Sequence, residues 1–200
     1  MIWKRNSKTI EDLEQKLNSS ESKLSFLNSK FDADLIGDVF QNEGLSNENR
    51  KAFNDFLKQI SSIKEDQVWD INSEIKLLKQ YIELYQSLKK EGLNVKVDFE
   101  MSNSSLKLPC LILFPMVENA IKNGYNSMEN YPLKIKLKTT EHILTFEVSN
   151  RVNHYLLNQA SELGLNQFQS RLIKEFKGKY EFLVNSNSNL FKMTLLLKIQ

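Results

Sequence analysis

The chain has 200 residues and a net charge of +2, a balance that gives no reason to expect nucleic acid or a strongly acidic partner. Its one cysteine, Cys110, excludes an internal disulfide framework and fits a reducing compartment. No run reaches the ~18 consecutive apolar residues of a membrane span.

In chain order, Trp3 precedes Lys4 and Arg5, the aromatic-then-basic order of a cytoplasmic membrane interface. Two expectations follow: a membrane segment removed ahead of this point, or an ordinary soluble start without the apolar core of a signal peptide. The expected location is cytoplasmic, at the inner membrane face in the first case. Ile10, Leu13, Leu17, Leu24, Leu27 and Phe31 then repeat at spacings of a heptad seam, with Ser20 in one core slot. The pattern predicts a long helix from about residue 7 to 39 or 40, stopped by Gln41-Asn42-Glu43-Gly44. Ser46 is the expected N-cap of a second helix, whose stripe is Phe53, Phe56, Leu57, Ile60 and Ile63. Two narrow seams cannot bury both helices alone, so pairing with a second copy into a four-helix bundle is expected.

Ser73 opens the next predicted helix, with Ile75, Leu78, Ile82, Leu84 and Tyr85 inward, and Gly92 ends it. There the period changes from 3.6 to 2. Val95, Val97 and Phe99 alternate with charged residues as a strand; Leu133, Ile135 and Leu137 alternate with Lys134, Lys136 and Lys138 as another, the lysines reading as a solvated face. Residues 143–148 give a third strand, 163–176 a helix, and 180–184 with 191–199 a terminal hairpin. The fold class is therefore α+β: a helical hairpin forming a dimeric four-helix bundle over residues 1–92, then an α/β sandwich over 93–200 on a mixed, mostly antiparallel sheet. Cys110 lies in the apolar run LPCLILF and is expected to be buried. With one cysteine and separated histidines, His142 and His154, no zinc site is expected. His142 falls at a predicted hairpin tip.

Residues 114–124 read FPMVENAIKNG, placing a carboxylate (Glu118), an amide (Asn119) and an ammonium (Lys122) on one helix, a set suited to a metal–triphosphate site. The stretch resembles the PLVENAIKHG N-box of LytS-like sensor histidine kinases, a branch of the GHKL ATP-binding family that includes gyrase and Hsp90. Residues 74–84, EIKLLKQYIEL, resemble that family's connecting helix. Leu163-Gly164-Leu165, continuing to Arg171-Leu172, resembles its glycine box, with Glu162 in place of the first glycine and Gln167 in place of an asparagine. The resemblance implies a Bergerat-type sandwich and a nucleotide remnant at Glu118, Asn119, Lys122, Ser149, Asn150, Gly164, Leu165 and Arg171. Asn119 would hold Mg2+ if nucleotide binds.

The resemblance breaks at the chemistry. The phosphoacceptor box aligns with LNSKFDADLIGD, which puts Asp34 in the histidine slot, Ala33 in that of the preceding proline and Asp38 in that of the closing asparagine. A carboxylate beside a triphosphate is a poor, repelled nucleophile. The adenine box D-N-G-x-G aligns with Ser149-Asn150-Arg151-Val152-Asn153. Loss of its charge-assisted bond costs about 1.5–3 kcal/mol, so Mg-ATP is expected to bind weakly or not at all. The expectation is a degenerate histidine kinase acting by contact in two-component-type signalling. Its expected partners are a second copy or a related histidine kinase, and a response regulator. The alternative is a nucleotide-dependent switch, or a weak kinase or ATPase, that retains Mg-ATP through the N-box.

Overall fold

A computed structural model describes residues 2–89, 92–102, 105–154 and 162–198, with the side chains of residues 2–8 and 162 outside the description. The side chains of Trp3, Lys4 and Arg5 in the interface pattern and of Glu162 in the glycine box, and the last hairpin residue, Ile199, thus lie outside the described residues.

The expected single N-terminal helix is two helices. α1 (Ile2–Lys30) stops and α2 (Ala33–Gln41) restarts after a break at Asp32. The cause is local: the Asp32 carboxylate accepts the backbone N–H groups of Asp34 (3.1 Å) and Leu35 (3.3 Å), an N-cap that competes with helix continuation. α3 (Asn47–Ser62) starts at the expected cap, Ser46 accepting from the Asn49 N–H at 3.1 Å. Phe53, Phe56 and Ile60 are buried beneath it.

A short strand β1 (Val68–Asp70) leads into α4 (Ile71–Leu88). The N-cap of α4 is Asp70, accepting from the Ser73 N–H at 2.9 Å, so Ser73 lies inside the first turn and does not open the helix. The sandwich follows as β2 (Val95–Met101), β3 (Lys107–Pro109), α5 (Phe114–Asn123), β4 (Leu133–Thr139), β5 (Ile143–Arg151), α6 (Glu162–Phe176), β6 (Tyr180–Ser186) and β7 (Leu190–Lys198). The main sheet has the order β2-β4-β5-β7-β6, parallel between β2 and β4 and antiparallel elsewhere. This is the expected α+β class with a mixed, mostly antiparallel sheet. Alternation is clean on β4, where Leu133, Ile135 and Leu137 are buried and the three lysines exposed.

The sequence boundary near residue 92 is crossed repeatedly. β1 pairs antiparallel with β3, and one apolar core runs from Phe26 through α4 to Leu197. α1 lies along α6 through small and polar residues: Ser22, Ser25 and Ser29 are buried with Phe26, and Asn28 donates to Gln167 at 2.9 Å. The predicted leucine seam points the other way. Leu13 and Leu17 are each 59% exposed, and Ile10, Leu24, Leu27 and Phe31 are also exposed.

Candidate functional site: a lysine held by three carboxylates

α5 carries Glu118, Asn119 and Lys122 on the side facing the α1–α2 break. The Lys122 ammonium lies 2.7 Å from Asp32, 2.9 Å from Asp34 and 2.7 Å from Glu118. The Glu118 contact is the i,i+4 pair inherent in the helix; the other two come from the capped break. Asp32 is also the acceptor for the Tyr81 and Tyr85 hydroxyls of α4, each at 2.6 Å. Burial opposes ionisation of Asp32, but Lys122 and the two tyrosines outweigh it and hold its pKa below the ordinary value. Burial likewise opposes the charge on Lys122, and Glu118 and Asp32 more than restore it, raising its pKa. Glu118 moves the opposite way from Asp32: burial, reinforced by the neighbouring Asp32 and Asp34 charges, pushes it up to about 7 against the pull of Lys122.

These groups line a cleft of about 510 Å3, which also receives Ala33, Asn119, Asn123, Gly164 and Leu165. Asp34, the α5 residues Glu118, Asn119 and Lys122, and Gly164 with Leu165 therefore share one cavity. Four expected members lie elsewhere. Asp38 is exposed one turn further along α2. Arg171 is buried under the loop before α5, donating to the Leu111 carbonyl at 3.1 Å and to that of Cys110, so it braces the scaffold and does not line the cleft. Ser149 is corrected by strand parity: Leu144, Phe146, Val148 and Asn150 are the buried set of β5, so Ser149 faces away from the N-box. Asn150 belongs to the buried set, and its amide lies beside Gly124 at the end of α5, outside the cleft.

Sequence reasoning missed four residues that build the site. Asp32 carried a signal, the Asp-Ala-Asp start that suits a cap. Tyr81 and Tyr85 are four apart on one helix face, which placed them together without revealing what they hold. Glu74 carried none. It is fully buried and accepts from Trp69 Nε1 (2.8 Å) and from the N–H groups of Leu111 (2.7 Å) and Leu113 (2.8 Å). It thereby satisfies amides at the start of α5, where Leu113 supplies no side-chain cap. Burial raises Glu74 to about 7 against these donors.

Among the described residues the one ammonium lining the cleft, that of Lys122, faces three carboxylates, and a phosphate would compete with all of them. The Asn119 amide oxygen, the expected Mg2+ ligand, accepts from Asn123 at 2.9 Å. Among the described residues no group of three or more His, Cys, Asp or Glu is arranged to hold a metal ion. His142 and His154 are exposed and outside the cleft. Cys110 is buried, as expected, and burial pushes its thiol up to about 11. No helix among the described residues is long and apolar enough to cross a membrane.

No protein-family profile matches the chain, and no curated protein matches its sequence. Solved structures do match. Histidine kinase AdeS of Acinetobacter baumannii superposes with a TM-score of 0.50 at 12% identity, covering 76% of this chain and 76% of that one. The catalytic domain of histidine kinase ThkA gives 0.47 at 17% identity, over 66% and 96% of the two chains. ThkA in complex with the response regulator TrrA gives 0.45 at 15% identity, over 98% and 61%. At these identities the likeness concerns fold alone: the chain shares its α+β architecture with the solved structure of AdeS.

Proposed function

We propose that this protein is a degenerate relative of the LytS-like histidine kinases that works by contact in two-component-type signalling and has no phosphotransfer of its own. The observation that carries this reading is the lysine knot. Lys122, which would meet phosphate in an active relative, is neutralised by Asp32, Glu118 and Asp34, the last standing in the phosphoacceptor slot. The acceptor position and the N-box have thus become partners in an ion-pair network. Contact has a surface available in the exposed leucine stripe of α1, which suits a second copy of the chain or a related histidine kinase. The α2–α3 hairpin is where a response regulator would dock. With Mg2+ and γ-labelled ATP the chain should acquire no acid-labile, base-stable label; such a label in the wild type would defeat the reading.

A second reading rests on a separate observation. Among the described residues, the Oδ1 atoms of Asn126 and Asn150 are buried without a protein partner, and the nitrogens of the same amides lie beside Gly124. If Asn150, in place of Ser149, occupies the adenine-binding position, these acceptors suit an exocyclic amino group, and the protein would be a nucleotide switch. A thermal shift separates the two. With a dissociation constant of order 1 mM, 1 mM Mg-ATP stabilises by about 0.4 kcal/mol, a barely visible change. A shift of many degrees that Asn150→Leu abolishes would favour the switch.

A further inference from the structure

The outer face of the sheet, away from the lysine knot, holds a second cleft of about 340 Å3. Three elements close it: the loop before β4 (Tyr131 and Pro132), the ends of β4 and β5 (Lys134, Ser149 and Arg151), and the β6–β7 turn (Asn189). Register fixes this meeting. Lys134 pairs with Ser149 across β4 and β5, Arg151 pairs with Leu190 across β5 and β7, and the Val152 N–H donates to the Asn189 carbonyl at 3.0 Å.

The chemistry of the lining is one-sided. It contains two cations and no carboxylate. Arg151 is oriented by an aromatic ring, its guanidinium carbon 4.5 Å from the Tyr131 centroid, and one N–H reaches Met128 Sδ at 3.4 Å. Among the described residues neither Arg151 nor Lys134 forms an ion pair, whereas Lys138, further along the same strand face, pairs with Glu100 and Lys192 with Glu147. Lys96 stands beside Lys134 in the parallel β2–β4 pair, adding positive potential at the rim. A guanidinium held by a π-face keeps its donors available for a planar anion. Tyr131, Pro132 and Leu190 add apolar wall, and the volume is at the lower end of small-molecule sites, roughly 300–1,000 Å3.

We infer that this cleft binds a small anionic ligand, a phosphate or carboxylate carried on a flat ring, with Arg151 and Lys134 taking the anion and Ser149 and Asn189 orienting it. The site shares no residue with the lysine knot, though Asn150, on which the nucleotide-switch reading rests, also lines it.

The test is an amide NMR titration of the full chain at low ionic strength with phenyl phosphate, and in parallel with benzoate, inorganic phosphate and benzyl alcohol. Phenyl phosphate or benzoate should saturate with a dissociation constant below about 1 mM. The shifts should fall on residues 131, 134, 149–151, 189 and 190, and benzyl alcohol should produce none of them. Arg151→Gln or Lys134→Gln should weaken binding by about tenfold or more, while Lys138→Gln leaves it within about twofold. Absence of saturation up to about 10 mM, or equal losses in Lys138→Gln and Arg151→Gln, would overturn the site. Inorganic phosphate binding as tightly as phenyl phosphate would overturn the ring requirement.

Discussion

Asp32 brings together more of this structure than its position in a helix break suggests. Its two oxygens receive two backbone N–H groups, two tyrosine hydroxyls and the Lys122 ammonium. Asp32→Ala removes an N-cap, worth about 1 kcal/mol, and strands two buried hydroxyls at about 1–3 kcal/mol each. We expect about 3–5 kcal/mol of destabilisation in urea unfolding, and clearly less for Asp32→Asn, which keeps most donors occupied. The pH dependence follows from the carboxylates that move the other way. Glu74 and Glu118, both raised from 4.5 to about 7, bind more protons folded than unfolded between those values. Stability should therefore fall as pH rises through that window, by up to about 1.4 kcal/mol per pH unit for each group, and level off above it. Asp32, with its lowered pKa, has the opposite sign: its contribution is present above its unfolded value and is lost as pH falls through the folded one. Glu118→Gln should halve the decline between pH 4.5 and 7, measured as unfolding free energy against pH. A profile identical to wild type would show that Glu118 is not perturbed by its burial.

At the level of elements, α5 ends against a packed corner. A Cβ on Gly124 would sit 2.5 Å from the Ala120 carbonyl oxygen and 2.7 Å from each of the Asn126 and Asn150 amide nitrogens. The carbonyl is helix backbone and cannot yield, so Gly124→Ala should cost about 1–3 kcal/mol, read from the urea midpoint at unchanged slope. The elements themselves were mostly legible from sequence, because period 3.6 and period 2 are strong over α3, α4, β4 and β5. The break between α1 and α2 was not: the heptad spacing of Leu24, Leu27 and Phe31 runs straight through it, and the competing cap at Asp32 depends on tyrosines 49 and 53 residues away. β1 and β3 were invisible because three-residue strands carry no period. Motif alignment put Ser149 in the adenine-binding slot, whereas the alternation of Leu144, Phe146 and Val148 turns Asn150, the next residue in that parity, toward the helices. The N-box and glycine box, read from resemblance, do converge with Asp34 in one cleft. Glu74 was unreadable, since its partners are backbone amides that no residue pattern encodes.

For the whole molecule, strand pairing and apolar packing cross the division drawn near residue 92. α4 supplies Glu74 to the start of α5, and β1 pairs with β3, so a fragment beginning at residue 93 should lose the sandwich's support and unfold. The exposed stripe Leu13, Leu17, Leu24, Leu27 and Phe31 leads to a different expectation. Burying each residue is worth roughly 1.5–3 kcal/mol, and five from each chain exceed an association cost of about 4–15 kcal/mol. Sedimentation equilibrium at micromolar protein should give about twice the 23.4 kDa chain mass. Leu17→Lys with Leu24→Lys should be monomeric with an unchanged near-ultraviolet spectrum, since both side chains point away from α6. The central claim, that the lysine knot has replaced nucleotide chemistry, is tested most directly by calorimetric titration of the intact chain with Mg-ATP. The account predicts no saturable binding below about 1 mM. Saturation in the micromolar range that Lys122→Ala abolishes would contradict it, because it would show Lys122 exchanging its three carboxylates for phosphate.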